Sequence, residues 1–365
     1  MSMTAHSQRG VALLTILLLV VSITVVAGAM LASQKIAIRR SGLLFDQNQL
    51  LQDINAGQQL AVTLIRADDK LNDTDSEQDI WAQPIPPYAL DNHSISIELR
   101  DEASRFNINN LYQNGAVNTA DLAVFQRLLT QLNLEPDIAI AVLDYQDADG
   151  EVYQDGGDES VVYSQQRSGS ADKTLPNQPF LSIDQLQDVR GVGAEVLAAL
   201  RPYITAVPYY VAINVNTASP ELLASLVDGV TSEQMRGLTE MRRKQVLPSI
   251  DELWKLPQLG GINAEQRAAL TPLLAVDSQA FTALITATDS ANTGQTRQRF
   301  ATVLISKAAT DDGETENSSA ANNNDANSND KNGNDANSTG NNNKSKTAKS
   351  IKVITQRLWA FRPSF

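Results

Sequence analysis

Hydrophobic and polar positions follow different periods in different parts of the chain. Residues 11–32 carry no charged side chain. At 1.5 Å rise per residue this run reaches about 33 Å as a helix, enough for one membrane crossing. Beyond it, Leu43, Leu44, Leu50, Leu51, Ile54, Ala61, Leu64 and Ile65 recur at spacings that fit a 3.6-residue period. The first proline is Pro84, and only Gly42 and Gly57 weaken the helical pattern. This predicts one helix from about Leu13 to Arg66, its first half in lipid and its second half packed on a globular domain. Residues 68–87 are polar and closed by prolines, as a connector would be.

The period then changes. Ile95-Ser96-Ile97-Glu98-Leu99 alternates apolar and polar and predicts a half-buried strand. Residues 105–110 predict a second short extended piece. Asp121 to Leu132 returns to helical spacing, with Leu122, Phe125, Leu128, Leu129 and Leu132 as its face. Pro136 opens a further helix to about Tyr145. Phe281–Ala287, Phe300–Ser306 and Ile351–Phe361 read as strands by alternation and branching. Residues 311–349, rich in Asn, Ser and Asp, cannot bury enough apolar surface to offset ordering and are predicted to be disordered. Strands on both sides make this tract an insertion in a sheet loop, which is tolerable because closure entropy grows only with the logarithm of length.

An internal repeat lies between the strand regions. Residues 182–207 and 249–276 both open with Ser-Ile-Asp, contain Ala-Ala-Leu and close with Ala-Val. Each predicts a Ser-capped helix, a tight turn and a second helix. Leu186, Val189, Gly191-Val192-Gly193 and Leu197 resemble a helix-hairpin-helix. In DNA-binding versions such a turn grips a phosphate through backbone N–H groups. The second copy has Leu-Gly-Gly-Ile in place of Gly-Val-Gly, and no basic-aromatic stripe accompanies either, which favours a packing unit.

Composition narrows the function classes. The 365 residues are 42% hydrophobic, enough for one large or two modest domains after the helix. A net charge of −13 disfavours nucleic acid or anionic lipid as the main partner. With no cysteine, disulfide scaffolds, zinc-thiolate sites and thiol nucleophiles are excluded. The only histidines are His6 and His93, so an anchored Ser-His-Asp hydrolase would depend on His93. No nucleophile motif accompanies it, and Asp-Asn-His-Ser reads as a turn.

One loop carries candidate metal chemistry. Asp144, Asp147, Asp149, Glu151, Asp155, Asp158 and Glu159 crowd a glycine-containing segment. Their mutual repulsion would be relieved by a hard cation such as calcium, which takes six to eight oxygens. The competing reading is a solvated acidic loop. The EF-hand template fails: with Gly150 at its invariant glycine, Tyr145 and Gly156 fall at the first and last ligand positions.

The N-terminus has three readings. A simple signal anchor is one. A cleaved signal peptide is another, since Ala27-Gly28-Ala29 resembles a small-residue cleavage site, although the helical pattern runs past it. The third is a prepilin leader ending Arg9-Gly10, followed directly by the apolar run from Val11, which resembles type IV pilins and pseudopilins. Thr15 stands at the fifth mature position, where most of that family carries Glu, and its presence resembles the minor pseudopilin K family of type II secretion. So do the acidic loop with its Gly-Gly-x-Glu and closing Tyr163, the two small helical units, and the segment Ile213-Asn214-Val215-Asn216-Thr217-Ala218.

That resemblance implies an α+β fold. A long N-terminal transmembrane helix (11–66, spanning lipid over about 11–32) follows a leader at 1–10. A pseudopilin-type helix-plus-antiparallel-sheet domain is formed by 67–112 and 281–365. A large inserted all-α domain (113–280) holds two SAM-like or helix-hairpin-helix-like units, about 113–210 and 211–280. It implies cleavage by prepilin peptidase between Gly10 and Val11, N-methylation of Val11, and calcium in the acidic loop. It implies assembly with minor pseudopilins I and J at the tip of a periplasmic pseudopilus, above the major pseudopilin and an inner-membrane assembly platform, for export of folded proteins across the outer membrane. Export of the C-terminal part rests on this resemblance, because Lys35, Arg39 and Arg40 after the span oppose it mildly. The alternative reading is a membrane-anchored DNA-uptake receptor with helix-hairpin-helix units.

Overall fold

The computed structural model describes residues 7–159, 161, 177–290, 296–309 and 349–365. Helix α1 runs from Ser7 to Leu71, 65 residues, or about 98 Å. The large apolar side chains from Val11 to Phe45 are all more than half exposed, as a lipid-facing or helix-facing segment requires. The hydroxyls of Thr15, Ser22, Thr24 and Ser33 donate to carbonyls one turn back at 2.7–2.9 Å. These polar groups therefore need no partner outside the helix.

Packing of α1 starts later than the periodicity predicts. Leu43 and Leu44 are 52% and 61% exposed, whereas Leu50, Ile54, Ala61, Val62 and Ile65 are buried. The sheet beneath them accounts for the difference, because Asp46 meets its near end in an ion pair with Arg297. That sheet has five antiparallel strands in the order β1 (Tyr88–Leu90), β2 (His93–Asp101), β3 (Ala280–Asp289), β4 (Arg297–Ala309) and β5 (Lys349–Trp359). Phe281, Ala283, Ile285 and Ala287 alternate onto the face that α1 covers, joined by Ile95, Ile97, Val303 and Ile305. A Cβ built on Gly57 would stand 2.6 Å from Ile285 Cγ2 and 3.0 Å from Ile95 Cγ2. The glycine that weakens the helix in isolation thus lets it approach the sheet.

Three expectations are corrected here. His93 is not a turn residue. It opens β2 after Asp91 turns the chain at φ 48°, and its Nδ1 lies 3.2 Å from Asp53 Oδ2 on α1. Residues 105–110 do not extend the sheet. Phe106-Asn107 pairs in parallel with Ile204-Thr205, and Phe106, Ile108 and Leu111 are buried in the helical core. The chain leaves the sheet at Asp101, whose carboxylate accepts from Ala103 N at 2.8 Å and turns it away, so the sheet's first segment ends there and not at 112. Lys349, expected in the disordered tract, opens β5. The rest of that tract, like residues 1–6 of the expected leader, lies outside the described residues.

The chain between β2 and β3 is helical: α2 (Thr119–Gln131), α3 (Ile138–Asp144), α4 (Ala194–Leu200), α5 (Pro220–Ser225), α6 (Ser232–Arg242), α7 (Ile250–Leu253) and α8 (Ala264–Leu270). It forms two units of one design. Phe106-Asn107 pairs with Ile204-Thr205 in the first, and Ile213-Asn214 pairs with Leu274-Ala275 in the second, both in parallel. In the first, Asn109 takes Phe180 N on its Oδ1 (2.8 Å) and gives its Nδ2 to Phe180 O (2.9 Å). In the second, Asn216 does the same with Leu247 N (2.9 Å) and O (3.0 Å). Each Asn fixes the chain two residues before the Ser-Ile-Asp opening. Buried amides satisfied on both ends specify one loop path.

Candidate functional site

The acidic loop folds back on itself. Val152 N donates to Gly157 O and Glu159 N to Gly150 O, while Gln154, Gly156 and Gly157 take positive φ at the turn. This return brings Glu159 beside Asp144 and Asp147 at the end of α3. One oxygen from each lies within 4.8 Å of the other two, and all three residues are buried. Among the described residues, Asp147 Oδ1 and Glu159 Oε1 are buried with no hydrogen-bond partner. Asp144 Oδ1 accepts from Tyr153 N at 3.1 Å. Burial, then Asp149 and Asp144, push Asp147 up to about 7; burial, then Asp147, Asp144 and neighbouring carboxylates, push Glu159 up to about 8. Orphaned oxygens in a crowded, desolvated group are a donor set suited to a hard cation.

The other four predicted ligands are not drawn in. Asp149, Glu151, Asp155 and Asp158 are exposed. Asp149 Oδ1 accepts from Glu151 N at 2.9 Å and shapes the turn. Glu151 and Asp158 face each other through a backbone bridge, which leaves their side chains outside the group. Tyr163 lies outside the described residues. Gly10 and Val11 are consecutive residues of α1, and Val11 is well exposed.

The glycine turn of the first unit is held by its valines, while Gly191 and Gly193 are exposed. Val189 and Val192 are buried, and a Cβ on Gly191 (φ 81°) would stand 3.3 Å from Ile138 Cγ1. Val189, Val192 and Gly191 thus pack the turn against the helical core beside Ile138.

A polar lock that the sequence pattern did not reveal joins α1, the sheet and the second unit. Asp75, in the connector after α1, donates its N–H to Val276 O at 3.0 Å and accepts Ser278 N at 2.6 Å. Lys307 of β4 forms an ion pair with Asp75; the two side chains are 2% and 1% exposed. Asn214 Nδ2 reaches Asp75 O (2.9 Å) and Ser278 Oγ (2.7 Å). Asp101 accepts from Thr217 (2.5 Å) and Ser278 (2.7 Å), and burial still holds it up at about 7. Arg242 of α6 approaches Glu77 at 3.7 Å. The insertion is thus fastened at the end of α1 opposite the apolar span. The only sequence signal was that Phe-Asn-Ile-Asn and Ile-Asn-Val-Asn match.

Comparison with known proteins agrees with this architecture. Two family models, both described as type II secretion system (T2SS), protein K, match residues 104–209 and 213–277, the two helical units. Type II secretion system protein K of Pseudomonas aeruginosa is 28% identical over 70% of this chain and 79% of its own length. That of Klebsiella pneumoniae is 29% identical over 76% and 87%. That of Aeromonas hydrophila is 30% identical over 61% and 71%. A chain in the crystal structure of the GspK-GspI-GspJ complex from enterotoxigenic Escherichia coli shares the fold, with a TM-score of 0.63 and 22% identity over 73% of this chain and 94% of that one. With a long apolar helix, an antiparallel sheet and a doubled helical insertion between its second and third strands, the chain belongs to the type II secretion system protein K family of minor pseudopilins.

Proposed function

We propose that this minor pseudopilin is the end subunit of the pseudopilus and starts its assembly beside minor pseudopilins I and J. The observation that carries this reading is the place of the insertion. It is fastened to the connector at the C-terminal end of α1, through Asp75 with Val276 and Glu77 with Arg242. Parallel stacking of pseudopilin helices would need that space for the next subunit. The similar complex of enterotoxigenic Escherichia coli joins the K, I and J proteins in one assembly, which supports the partner choice. The apolar segment of α1 anchors the chain in the membrane once; we assign it to the inner membrane with the folded part in the periplasm. Prepilin peptidase cuts after Gly10, and Val11 is the methylated mature end. Thr15 is uncharged and its hydroxyl donates within its own helix, so it cannot form the ion pair with a neighbour's terminal amine that a Glu would. This suits a subunit that does not repeat inside the filament. The role is structural, with no enzymatic step.

The test uses the absence of native cysteine. Single cysteines are placed at Ile38 on the exposed face of α1 and at Arg236 on α6. Cross-links to other pseudopilins are expected from position 38 and none from 236. Cross-links from 236 to the major pseudopilin would refute an end position.

Calcium belongs to the same proposal. Asp144, Asp147 and Glu159 would hold it, with further oxygens from backbone and water, and it would neutralise their repulsion and fasten the loop to α3. Chelation is expected to lower the melting temperature, more at pH 8 than at pH 6, because protons occupy Asp147 and Glu159 as pH falls. Asp147→Asn with Glu159→Gln should abolish the response to calcium. A melt indifferent to chelator at pH 8 would remove the metal.

A further inference from the structure

On the sheet face turned away from α1, a cleft of about 590 Å³ opens against the first helical unit. Its charged lining is Arg100, Arg105, Arg201 and Arg357 with Glu102 and Asp184. Both carboxylates are already engaged. Glu102 Oε1 accepts from Arg100 Nε (3.0 Å) and Nη2 (2.7 Å), and its Oε2 accepts from Thr205 Oγ1 (2.5 Å). Asp184 Oδ1 accepts from Arg201 Nη2 at 2.5 Å. Among the described residues, Arg357 donates only to a neutral carbonyl, Leu181 O, at 3.0 Å. The Arg105 guanidinium has no hydrogen bond or ion pair among the described residues, and it is partly buried. Among the described residues neither Arg105 nor Arg357 is in an ion pair, although Glu102 and Asp101 attract Arg105 through space, in a chain whose net charge is −13.

We propose that this cleft binds the carboxylates of an acidic peptide segment, with Arg105 and Arg357 as the anchoring cations. A guanidinium fork matches a carboxylate in geometry and charge. An acidic segment would be repelled by the rest of a chain of net charge −13 and held only where the arginines gather. Burial and the like charge of Arg100 push Arg105 down to about 10 against the pull of Glu102 and Asp101, so an incoming anion would add to an attraction that the fold leaves incomplete. A peptide fits better than a small anion. Leu181, Leu304 and Trp359 line it beside the charges, and the chain's own residues 363–365 already lie against it. There Phe365 sits under Arg100, 4.6 Å from ring centroid to guanidinium carbon, and Ser364 Oγ accepts from Arg201 Nη1 at 3.1 Å.

The test is fluorescence anisotropy of labelled hexaglutamate with the full chain in detergent micelles at low ionic strength. Binding is expected, and Arg105→Gln with Arg357→Gln should weaken it by about tenfold or more. Arg105→Gln alone should weaken it less while leaving the melt near that of the parent, since the attraction of Glu102 and Asp101 and the repulsion of Arg100 and Arg201 are lost together. Arg236→Gln with Arg243→Gln, on the exposed side of α6, should leave affinity unaltered. No binding, or equal affinity for the parent and the Arg105/Arg357 variant, would overturn the proposal. So would displacement of hexaglutamate by an equal concentration of inorganic phosphate, which would mark a small-anion site.

Discussion

Lys307→Met is expected to destabilise the folded domain by about 3–5 kcal/mol, the range for breaking a buried pair by removing one partner. Lys307 and Asp75 are almost wholly buried, and the ammonium also lies 5.6 Å from the Phe281 ring centroid. Burial pushes the Asp75 carboxyl up, and Lys307 is the main group pulling it back. Without the ammonium, Asp75 keeps its place between Ser278 N and the second helical unit but loses its counter-charge. The damage should therefore extend to the attachment of the insertion, with faster proteolysis near residues 75–80 and 276–279. Asp75→Asn in the same chain should recover part of the loss, because the orphaned charge is then gone. Denaturant unfolding of the single and double variants measures both effects. A single-variant loss below about 1 kcal/mol would mean that the pair is not what holds the junction.

Gly57→Val should cost more than the usual overpacking penalty of about 1–3 kcal/mol, because the first added carbon already collides. It would lie 2.6 Å from Ile285 Cγ2 and 3.0 Å from Ile95 Cγ2, both in the packed sheet. Even Gly57→Ala should destabilise, although alanine favours an isolated helix by about 0.8–1.0 kcal/mol over glycine. Gly42, with nothing within 4 Å of its added Cβ, gives the contrast: Gly42→Ala should be neutral or stabilising. Thermal melts should fall for Gly57→Ala and stay level or rise for Gly42→Ala. A Gly57→Ala protein at least as stable as its parent would show that α1 is not pressed onto the sheet at this point.

These two glycines show what was legible in the sequence. Both appeared as weak points in a helical pattern, and only the third dimension separates them. The helix itself was readable because its apolar run and 3.6-residue period are local properties, as was the alternation of β2, β3 and β4. Leu43 and Leu44 fit the period yet stay exposed, since periodicity tells which side of a helix is apolar and not how far the sheet beneath it extends. Phe106-Asn107 looked like a sheet strand for a related reason. Extended residues have the same local pattern whether they pair with a neighbouring strand or with the distant Ile204-Thr205. The buried asparagines Asn109 and Asn216 were invisible as core because polar residues are read as surface.

The acidic loop divides along the same line. Its composition pointed to the segment, but backbone turns at Gln154, Gly156 and Gly157 decide which carboxylates converge. Asp144 and Asp147 at the end of α3, and Glu159, returned by the hairpin, come together. Asp149, Glu151, Asp155 and Asp158 stay in solvent because they lie along the outside of that turn. The ion pair at the junction has no counterpart in composition at all: Asp75 and Lys307 are 232 residues apart and meet only through the sheet.

The proposed role depends above all on α1 being kept whole in the mature protein as a membrane-held pseudopilin helix. Mass spectrometry of the N-terminal peptide, on protein purified from cells containing prepilin peptidase, addresses this directly. The expected result is a chain beginning at Val11 with one methyl group on its amine. A chain beginning near Met30, with the apolar run removed, would contradict it.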